Sequence, residues 1–481
     1  MNIYELYLRS FYDSNGDGIG DFRGLAEKMD YLVDLGIDLV WFLPILKSQS
    51  FHGYSINDFF AVNPAYGSLE DLKAALQIGH QKGLKFILDL PLNHVGYNCE
   101  WFKRALKGEK PYVDWFLWAD ETTDINEKRD WDPSRIWFKA NGKYYYALFG
   151  PGSPDLNYAN RDLWDMAKKI VTFWLEAGFD GFRFDAAPHI FDYDPQIGHF
   201  FKDHEKNIGF WREIVAWAKT INPDAVMVSE VWDKKGVIDK YADIFEYLFN
   251  FPLAGTMKAS IQMSSPKKFC LGLQRDMADY FLAGSATPFH SCNFLTNHDM
   301  SRLLSELKNP NQAKLAYAIL FTLPGAPCIY YGEELGMKGP ISNVNNTEDA
   351  QDPLHWYENG FGPGQTEWKA YRHNHPFTKV SVEAQHPDEQ SMLNYVRSLT
   401  AFRKNNPWIC AGRIKILQRN RRLVALSISD LFHEIVCYYN FSSKRVKVPG
   451  GTSRKISGFG GYSMDRSHLI IDPYATVVIH K

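Results

Sequence analysis

Apolar and polar positions along this chain alternate between two rhythms. Short runs that are continuously apolar or alternate with period two recur as IYELYL (3–8), LVWFLP (39–44), KFILDL (85–90), GFRFD (181–185), AVMVSE (225–230), EYLFNF (246–251), NFLT (293–296) and CIYYG (328–332). These read as strands. Between several of them the period lengthens to i, i+3, i+4, as in LEDLKAALQIGHQKG (69–83) and RDLWDMAKKIVTFWLEAG (161–178), the signature of amphipathic helices. Eight β units alternating with helices predict an α/β fold, a (β/α)₈ TIM barrel. The gap between the third and fourth strands is too long for one crossover. Residues 98–158, rich in Trp, Tyr, Asp and Gly, therefore predict an inserted subdomain, with the barrel made of 1–97 and 159–406. After the helical pattern SMLNYVRSLTAFRK (391–404) the rhythm changes again. RLVALSIS, EIVCYYNF and ATVVIHK, set between turn residues, predict a C-terminal antiparallel β domain over 407–481.

Composition narrows the classes of function. A net charge of −3 with no long basic or acidic run gives no footing to a nucleic-acid or membrane-surface role. No apolar run is long enough to span a bilayer, and MNIYELYLRSF has neither the charged start nor the apolar run of a secretory leader. The expected location is the cytoplasm. Six scattered cysteines without a CxxC pair read as free thiols packed as small apolar groups.

The strand GFRFD poses a chemical question. Phe182 and Phe184 share one face and Arg183 and Asp185 the other, where a half-buried strand would hide apolar groups. Other strand ends carry similar groups: Asp89, Asn93 and His94 in DLPLNH, Glu230 closing VMVSE, and His298 and Asp299 in TNHD. Active sites of such barrels lie at the C-terminal ends of the strands. Carboxylates converging there, with no Cys/His metal spacing and no Gly-rich phosphate loop, point to glycoside hydrolysis with retention. One carboxylate must stay ionised to attack the anomeric carbon, and a neighbouring cation lowers its pKa. The other must hold a proton for the leaving oxygen, and neighbouring negative charge raises its pKa. Asp185 beside Arg183 fits the nucleophile, and Glu230 the general acid/base.

At this point the chain resembles the α-amylase superfamily of retaining glycoside hydrolases over nearly its whole length. The resemblance rests on DLPLNH (89–94), GFRFDAAPH (181–189), SEVW (229–232), FLTNHD (294–299), SPDLN (153–157), GIDLVWFLPI (36–45) and GAPCIYYGEELGM (325–337). It implies Asp185 as nucleophile, Glu230 as acid/base, and Asp299 as a third carboxylate gripping sugar hydroxyls. It also implies that His94, Arg183 and His298 hydrogen-bond the sugar, that Tyr54 stacks on it, and that His189 serves the acceptor side. Ser55 and Gln351 stand where exo-acting α-glucosidases carry Asp and Arg, and Pro188 replaces the lysine of many α-amylases. Segments such as WFKRALKGEKPYVDWFLWADETTD (101–124) and GQTEWKAY (364–371) look most like bacterial 4-α-glucanotransferases, which act on maltooligosaccharides. An α-amylase is the alternative. A non-catalytic amylase-like binding protein is a remote third, since such relatives would be expected to lose the strand-end carboxylates.

The loop DSNGDGIGD (13–21) places oxygens at alternate positions around a glycine-bent turn. Asp13, Asn15, Asp17, Asp21 and the Ile19 carbonyl make a hard-oxygen set suited to Ca²⁺, or Mg²⁺. It differs from an EF-hand loop in having Gly24 at the twelfth position. Relatives with this loop hold the ion structurally. Asn93 matches a ligand of a second calcium site of many α-amylases, whose partners in the inserted segment stay open.

Overall fold

The computed structural model describes residues 1–194, 197–233, 236–276, 290–307, 309–341, 347–449, 455–465 and 468–481. The chain divides into two compact units, one of residues 1–40, 78–84 and 247–481, the other of 41–77 and 85–246.

Eight strands form a closed parallel barrel: β1 (Ile3–Leu6), β2 (Leu39–Phe42), β3 (Lys85–Leu90), β4 (Gly181–Phe184), β5 (Val226–Ser229), β6 (Tyr247–Phe249), β7 (His290–Asn293) and β8 (Ala326–Tyr330). Their order around the barrel is β1-β8-β7-β6-β5-β4-β3-β2, so chain neighbours are sheet neighbours throughout. Helices Leu69–Gln81 and Asp162–Glu176 occupy the predicted positions, each trimmed by one or two residues at an end.

The alternation of GFRFD has a direct structural meaning. Register pairs Arg183 with Asp89 on β3 and with Val228 on β5, while Phe184 packs its ring 4.6 Å from that of Trp211 on the helix His204–Ile221. The strand thus turns its aromatic face to the helix layer, and Arg183 to a cluster of carboxylates. Gly181, at φ +148°, is required where β4 meets β5, because a Cβ there would lie 2.0 Å from the Val226 carbonyl oxygen.

One strand lies elsewhere than predicted. β7 spans His290–Asn293, three residues before the apolar NFLT run. Its residues Ser291 and Asn293 are buried but polar. Asn250 donates to Ser291 Oγ at 3.0 Å, Ser291 to Asn293 Oδ1 at 2.6 Å, and Asn293 to the Pro324 carbonyl at 2.6 Å. A buried hydrogen-bonded ladder satisfies these groups and hides the strand from a hydrophobicity reading. β8 likewise starts two residues earlier than predicted.

Within 98–158 the chain forms a helix at Glu100–Leu106 and a hairpin, Trp137–Ala140 with Lys143–Tyr146. Ile136, Trp137, Tyr146 and Leu148 make a small core there, against which Tyr193 and Phe200 also pack. The C-terminal region is all antiparallel. A five-stranded sheet (Arg413–Arg419, Leu423–Ser429, Glu434–Asn440, Thr476–His480, Lys455–Phe459) and a three-stranded one share a core including Leu423, Val448, Leu469 and Val477. Among the described residues no helix is long and apolar enough to cross a membrane. None of the six cysteines is in a disulfide.

Candidate active site

Arg183 is the hub of the unit that contains it. Its side chain is 1% exposed and is paired with three carboxylates. Nη1 donates to both oxygens of Asp89 at 3.0 Å and to Asp185, while Nη2 donates to Glu230. Burial alone would push the guanidinium down, but Asp89, Asp185 and Glu230 outweigh it and hold it well above its ordinary value. Asp185 and Glu230 keep 15% and 12% of their side chains exposed, enough for a ligand to reach them, whereas Asp89 has none.

Asp89 is the buried anchor of the cluster. The Trp41 indole donates to it at 3.1 Å and the Tyr54 hydroxyl at 2.9 Å, and the Arg183 guanidinium lies 5.0 Å from the Trp41 ring centre. Sequence reading placed Asp89 at the rim without a role and did not single out Trp41. The signal for Asp89 was a carboxylate inside an otherwise apolar strand.

The two exposed carboxylates are tied through the backbone as well. Glu230 N–H donates to the Phe184 carbonyl at 3.1 Å and Ala187 N–H to the Glu230 carbonyl at 3.2 Å. Ala186, between Asp185 and Ala187, has φ +45°, an uncommon left-handed conformation for a residue with a Cβ. That single strained residue turns the chain off β4 into the short helical turn Ala187–His189.

The expectation that Glu230 sits among negative charge needs amendment, since Arg183 touches it directly. The reason is the guanidinium's fork, whose two terminal nitrogens serve different acceptors. The charge balance still opposes full ionisation: one cation faces three carboxylates.

His94 and His189 flank the cluster. His94 is buried, with Nδ1 3.0 Å from Asn93 Oδ1 and Nε2 3.2 Å from the Tyr54 carbonyl. Burial lowers its pKa, with the Asp185 charge acting in the other direction. Tyr54 stacks on His52 at 5.9 Å between ring centres. Phe149 lies 5.5 Å from His94 and 5.7 Å from His189, and Trp131 lies 6.2 Å from Phe149 and 5.7 Å from His189. Trp131 is 47% exposed and is backed by the Arg129 guanidinium 5.0 Å from its ring centre. Trp232, two residues past Glu230, is 57% exposed.

Beside His189 lies a cavity of about 420 Å³ lined by Asn93, Asp155, His189, Asp192 and others. Asn93 donates its amide to the His189 carbonyl, and His189 Nδ1 is 3.1 Å from Asp192. Asp155, from the SPDLN motif, is buried, with the Leu148 backbone and the Asn93 side chain beside it. Burial and then the Asp192 charge push its pKa well above the usual carboxylate range. It lies in the inserted segment and faces Asn93.

In the other unit, His298 and Asp299 follow β7. His298 is buried, with Nδ1 2.6 Å from Glu5 Oε1 and Nε2 3.2 Å from Asp299 Oδ2. Asp299 is 41% exposed, and its N–H donates to Asn297 Oδ1 at 3.1 Å. The loop 13–21 belongs to this unit too. Asp13 accepts from Asn15, Gly16 and Gly18 amides at 3.0, 2.7 and 2.7 Å. Asp21 caps the helix Phe22–Glu27 through Gly24 N–H at 2.7 Å. Among the described residues no three His, Cys, Asp or Glu side chains are gathered as one metal would need. Yet Asp13 and Asp21 are buried with no Lys or Arg ion pair among the described residues. Asp21 also accepts from the Ser14 amide and hydroxyl, both at 2.8 Å, so donors of the loop meet both carboxylates; as hard oxygen donors the two are of the type Ca²⁺ takes.

Residues 5–412 match the family described as "Alpha amylase, catalytic domain". The chain is 38% identical over 450 residues to the 4-alpha-glucanotransferase of Thermotoga maritima, covering 93% of this chain and 97% of that one. It is 41% identical over 430 residues to the 4-alpha-glucanotransferase of Thermotoga neapolitana, covering 88% and 91%. Alpha-amylase 3 of Dictyoglomus thermophilum is 33% identical over 487 residues, covering 99% and 92%. Among solved structures, the alpha-amylase from H. orenii superposes with a TM-score of 0.90 at 34% identity, covering 100% of this chain and 99% of that one.

Proposed function

The chain belongs to the α-amylase catalytic-domain family, and from that premise we propose that it is a 4-α-glucanotransferase moving maltooligosyl units between α-1,4-glucans. The observation that carries the reading is the single guanidinium of Arg183 joined to Asp185 and Glu230 at once. Two carboxylates held by one fork are near enough for the roughly 5–5.5 Å pairing of a retaining mechanism, rather than the wider spacing that leaves room for water.

Asp185 attacks the anomeric carbon while Glu230 gives its proton to the departing glucan. The resulting glycosyl–Asp185 ester is opened by a sugar hydroxyl whose proton returns to Glu230. Arg183 keeps Asp185 charged before attack and loses one counter-charge once the ester forms, which leaves more of its field for Glu230. Asp299 grips the ring hydroxyls with His298 beside it, and His94 and Tyr54 meet the sugar on the side of Asp89. The exposed faces of Trp131 and Trp232 favour a second sugar over water as acceptor, since a glucan pressed on an aromatic face excludes solvent from its contact. His189, beside Trp131, serves that acceptor.

We assign Asp13, Asn15, Asp17, Asp21 and the Ile19 carbonyl to a structural Ca²⁺, and Asn93, Asp155 and the His189 carbonyl to a second. Such ions would balance the charge of buried carboxylates, away from the reacting carboxyls. Six cysteines without a disulfide suit a reducing compartment, which supports work in the cytoplasm.

Incubation with maltotriose tests the reading, following product lengths and total reducing ends together. A ladder extending above the starting length at nearly constant reducing ends is expected. Shorter products alone, with reducing ends rising in step, would make the protein an α-amylase.

A further inference from the structure

Strand β1 reads Ile-Tyr-Glu-Leu and is buried along its whole length, with Glu5 1% exposed. A carboxylate in such a position is costly unless it is paired. Its partner is His298, 293 residues away in the chain. Glu5 Oε1 accepts both the His298 ring at Nδ1, 2.6 Å away, and the His298 backbone N–H at 3.2 Å. One oxygen thus fixes both the place of the residue and the rotation of its ring.

The two contacts of the ring then bear on which of its atoms carry protons. An ionised carboxylate only accepts, so Nδ1 must bear a hydrogen. A neutral imidazole would then offer a bare lone pair at Nε2. That atom lies 3.2 Å from Asp299 Oδ2, a second acceptor. Two acceptors facing a lone pair repel; the contact is attractive only when Nε2 also carries a hydrogen. An imidazolium between two carboxylates gives each ring nitrogen an acceptor, Glu5 Oε1 at Nδ1 and Asp299 Oδ2 at Nε2. A further titratable neighbour of Glu5 is Tyr330, its register partner on β8. Burial, Tyr331 and then Glu5 hold that phenol well above its ordinary value and therefore neutral, although Arg302, 4.5 Å from its ring centre, acts the other way.

We propose that Glu5 is the positioning residue of His298, keeping it doubly protonated so that its Nε2–H holds Asp299 in the orientation that meets the sugar. The loop bearing Asp299 is then held at three points: Asn297 Oδ1 on the Asp299 amide, Glu5 on the His298 amide, and the imidazolium on the carboxylate. The role in catalysis rests on the glucanotransferase reading; the protonation state does not.

The test is nitrogen NMR on full-length protein labelled in its histidines, with His298 identified among the fifteen by its loss in His298→Gln. Wild-type protein at pH 7.5, without substrate, is expected to show both His298 ring nitrogens protonated. Glu5→Gln keeps the shape and one accepting oxygen but removes the charge. It is expected to convert His298 to a singly protonated ring and to lower kcat on maltotriose at least tenfold with a smaller change in KM. Glu5→Asp, which keeps the charge, should retain part of both. A singly protonated His298 in the wild type, or a Glu5→Gln protein with unchanged ring signals and full kcat, overturns the proposal. The wild-type spectrum decides even if Glu5→Gln fails to fold. A wild type inactive on every maltooligosaccharide sinks the functional reading while leaving this spectrum to stand on its own.

Discussion

Replacing Arg183 with Met removes the charge while keeping most of the side-chain length, and its consequences follow from the contacts that vanish. Both hydrogen bonds to Asp89 go, each of 3.0 Å, together with the pairings to Asp185 and Glu230. The Trp41 and Tyr54 donors still reach Asp89, but a carboxylate with no exposure has lost its cation. Removing one partner of a buried pair costs about 3–5 kcal/mol. Unfolding entropy of about 2.1 cal/mol/K per residue gives roughly 1 kcal/mol/K for a chain of this length. The melting temperature should therefore fall by about 3–5 °C. Arg183→Lys, which keeps the charge but not the fork, should fall less. Activity responds separately. The carboxylates raise the Arg183 pKa, and by reciprocity the guanidinium favours their ionised forms. With the cation gone, the nucleophile takes up its proton at higher pH, so activity is lost earlier as pH falls. Pairs of this kind are worth 1–3 pH units. The acid limb of kcat/KM on an activated maltosyl fluoride should move up by about that amount. A limb that stays in place in Arg183→Met, with a melting temperature within one degree of wild type, would refute the hub assigned to this residue.

Added Ca²⁺ at a hundred times its Kd should stabilise the fold by about 2.7 kcal/mol, seen as a rise in melting temperature that EDTA reverses. Asp13→Ala should weaken that response, and a melting curve indifferent to both reagents would remove the metal from the loop. His355 is 2% exposed, and burial lowers its pKa from 6.5 to about 4. Between those values the unfolded chain binds the extra proton, so stability declines as pH falls from about 6.5 to 4 and levels below that. His355→Phe should flatten this part of the stability–pH curve in urea titrations; an unchanged slope would locate the acid sensitivity elsewhere. Trp131→Ala, deleting an exposed ring beside His189, should raise the acceptor KM about tenfold and increase hydrolysis relative to transfer. Equal transfer and hydrolysis ratios in mutant and wild type would take Trp131 out of the acceptor site.

Local pattern made much of this architecture legible, because each reading needed only neighbours in the chain. KFILDL (85–90) coincides with β3, since its apolar run is bounded by Lys85 and the turn after Leu90. The C-terminal runs became strands at Leu423–Ser429, Glu434–Asn440 and Thr476–His480. β7 escaped because its buried residues are polar and their satisfaction comes from Asn250 and the Pro324 carbonyl, partners that no local window contains. Glu5 escaped for the same reason, its partner being 293 residues downstream. Trp41 escaped because an apolar aromatic in a buried strand reads as core, and only the Asp89 opposite its indole gives it another role.

The pairing of Arg183 with Asp185 could be anticipated, since residues two apart on a strand share a face. Its pairing with Glu230 could not, because it depends on β4 and β5 lying side by side with Arg183 opposite Val228. That tertiary contact changes the chemistry inferred. A cation reserved for Asp185 would fix one carboxylate as permanently charged and leave the other to burial alone. A cation shared among three carboxylates makes their protonation interdependent: esterification of Asp185 removes one negative charge, and the guanidinium's field falls more fully on Glu230, easing its loss of a proton. The carboxyl that must give up a proton in the first half-reaction is then the one left ionised at its end, ready to accept a proton from the incoming sugar hydroxyl. The two roles therefore follow from one charge redistributed as the ester forms and breaks, and Arg183→Met should impair both half-reactions rather than the first alone.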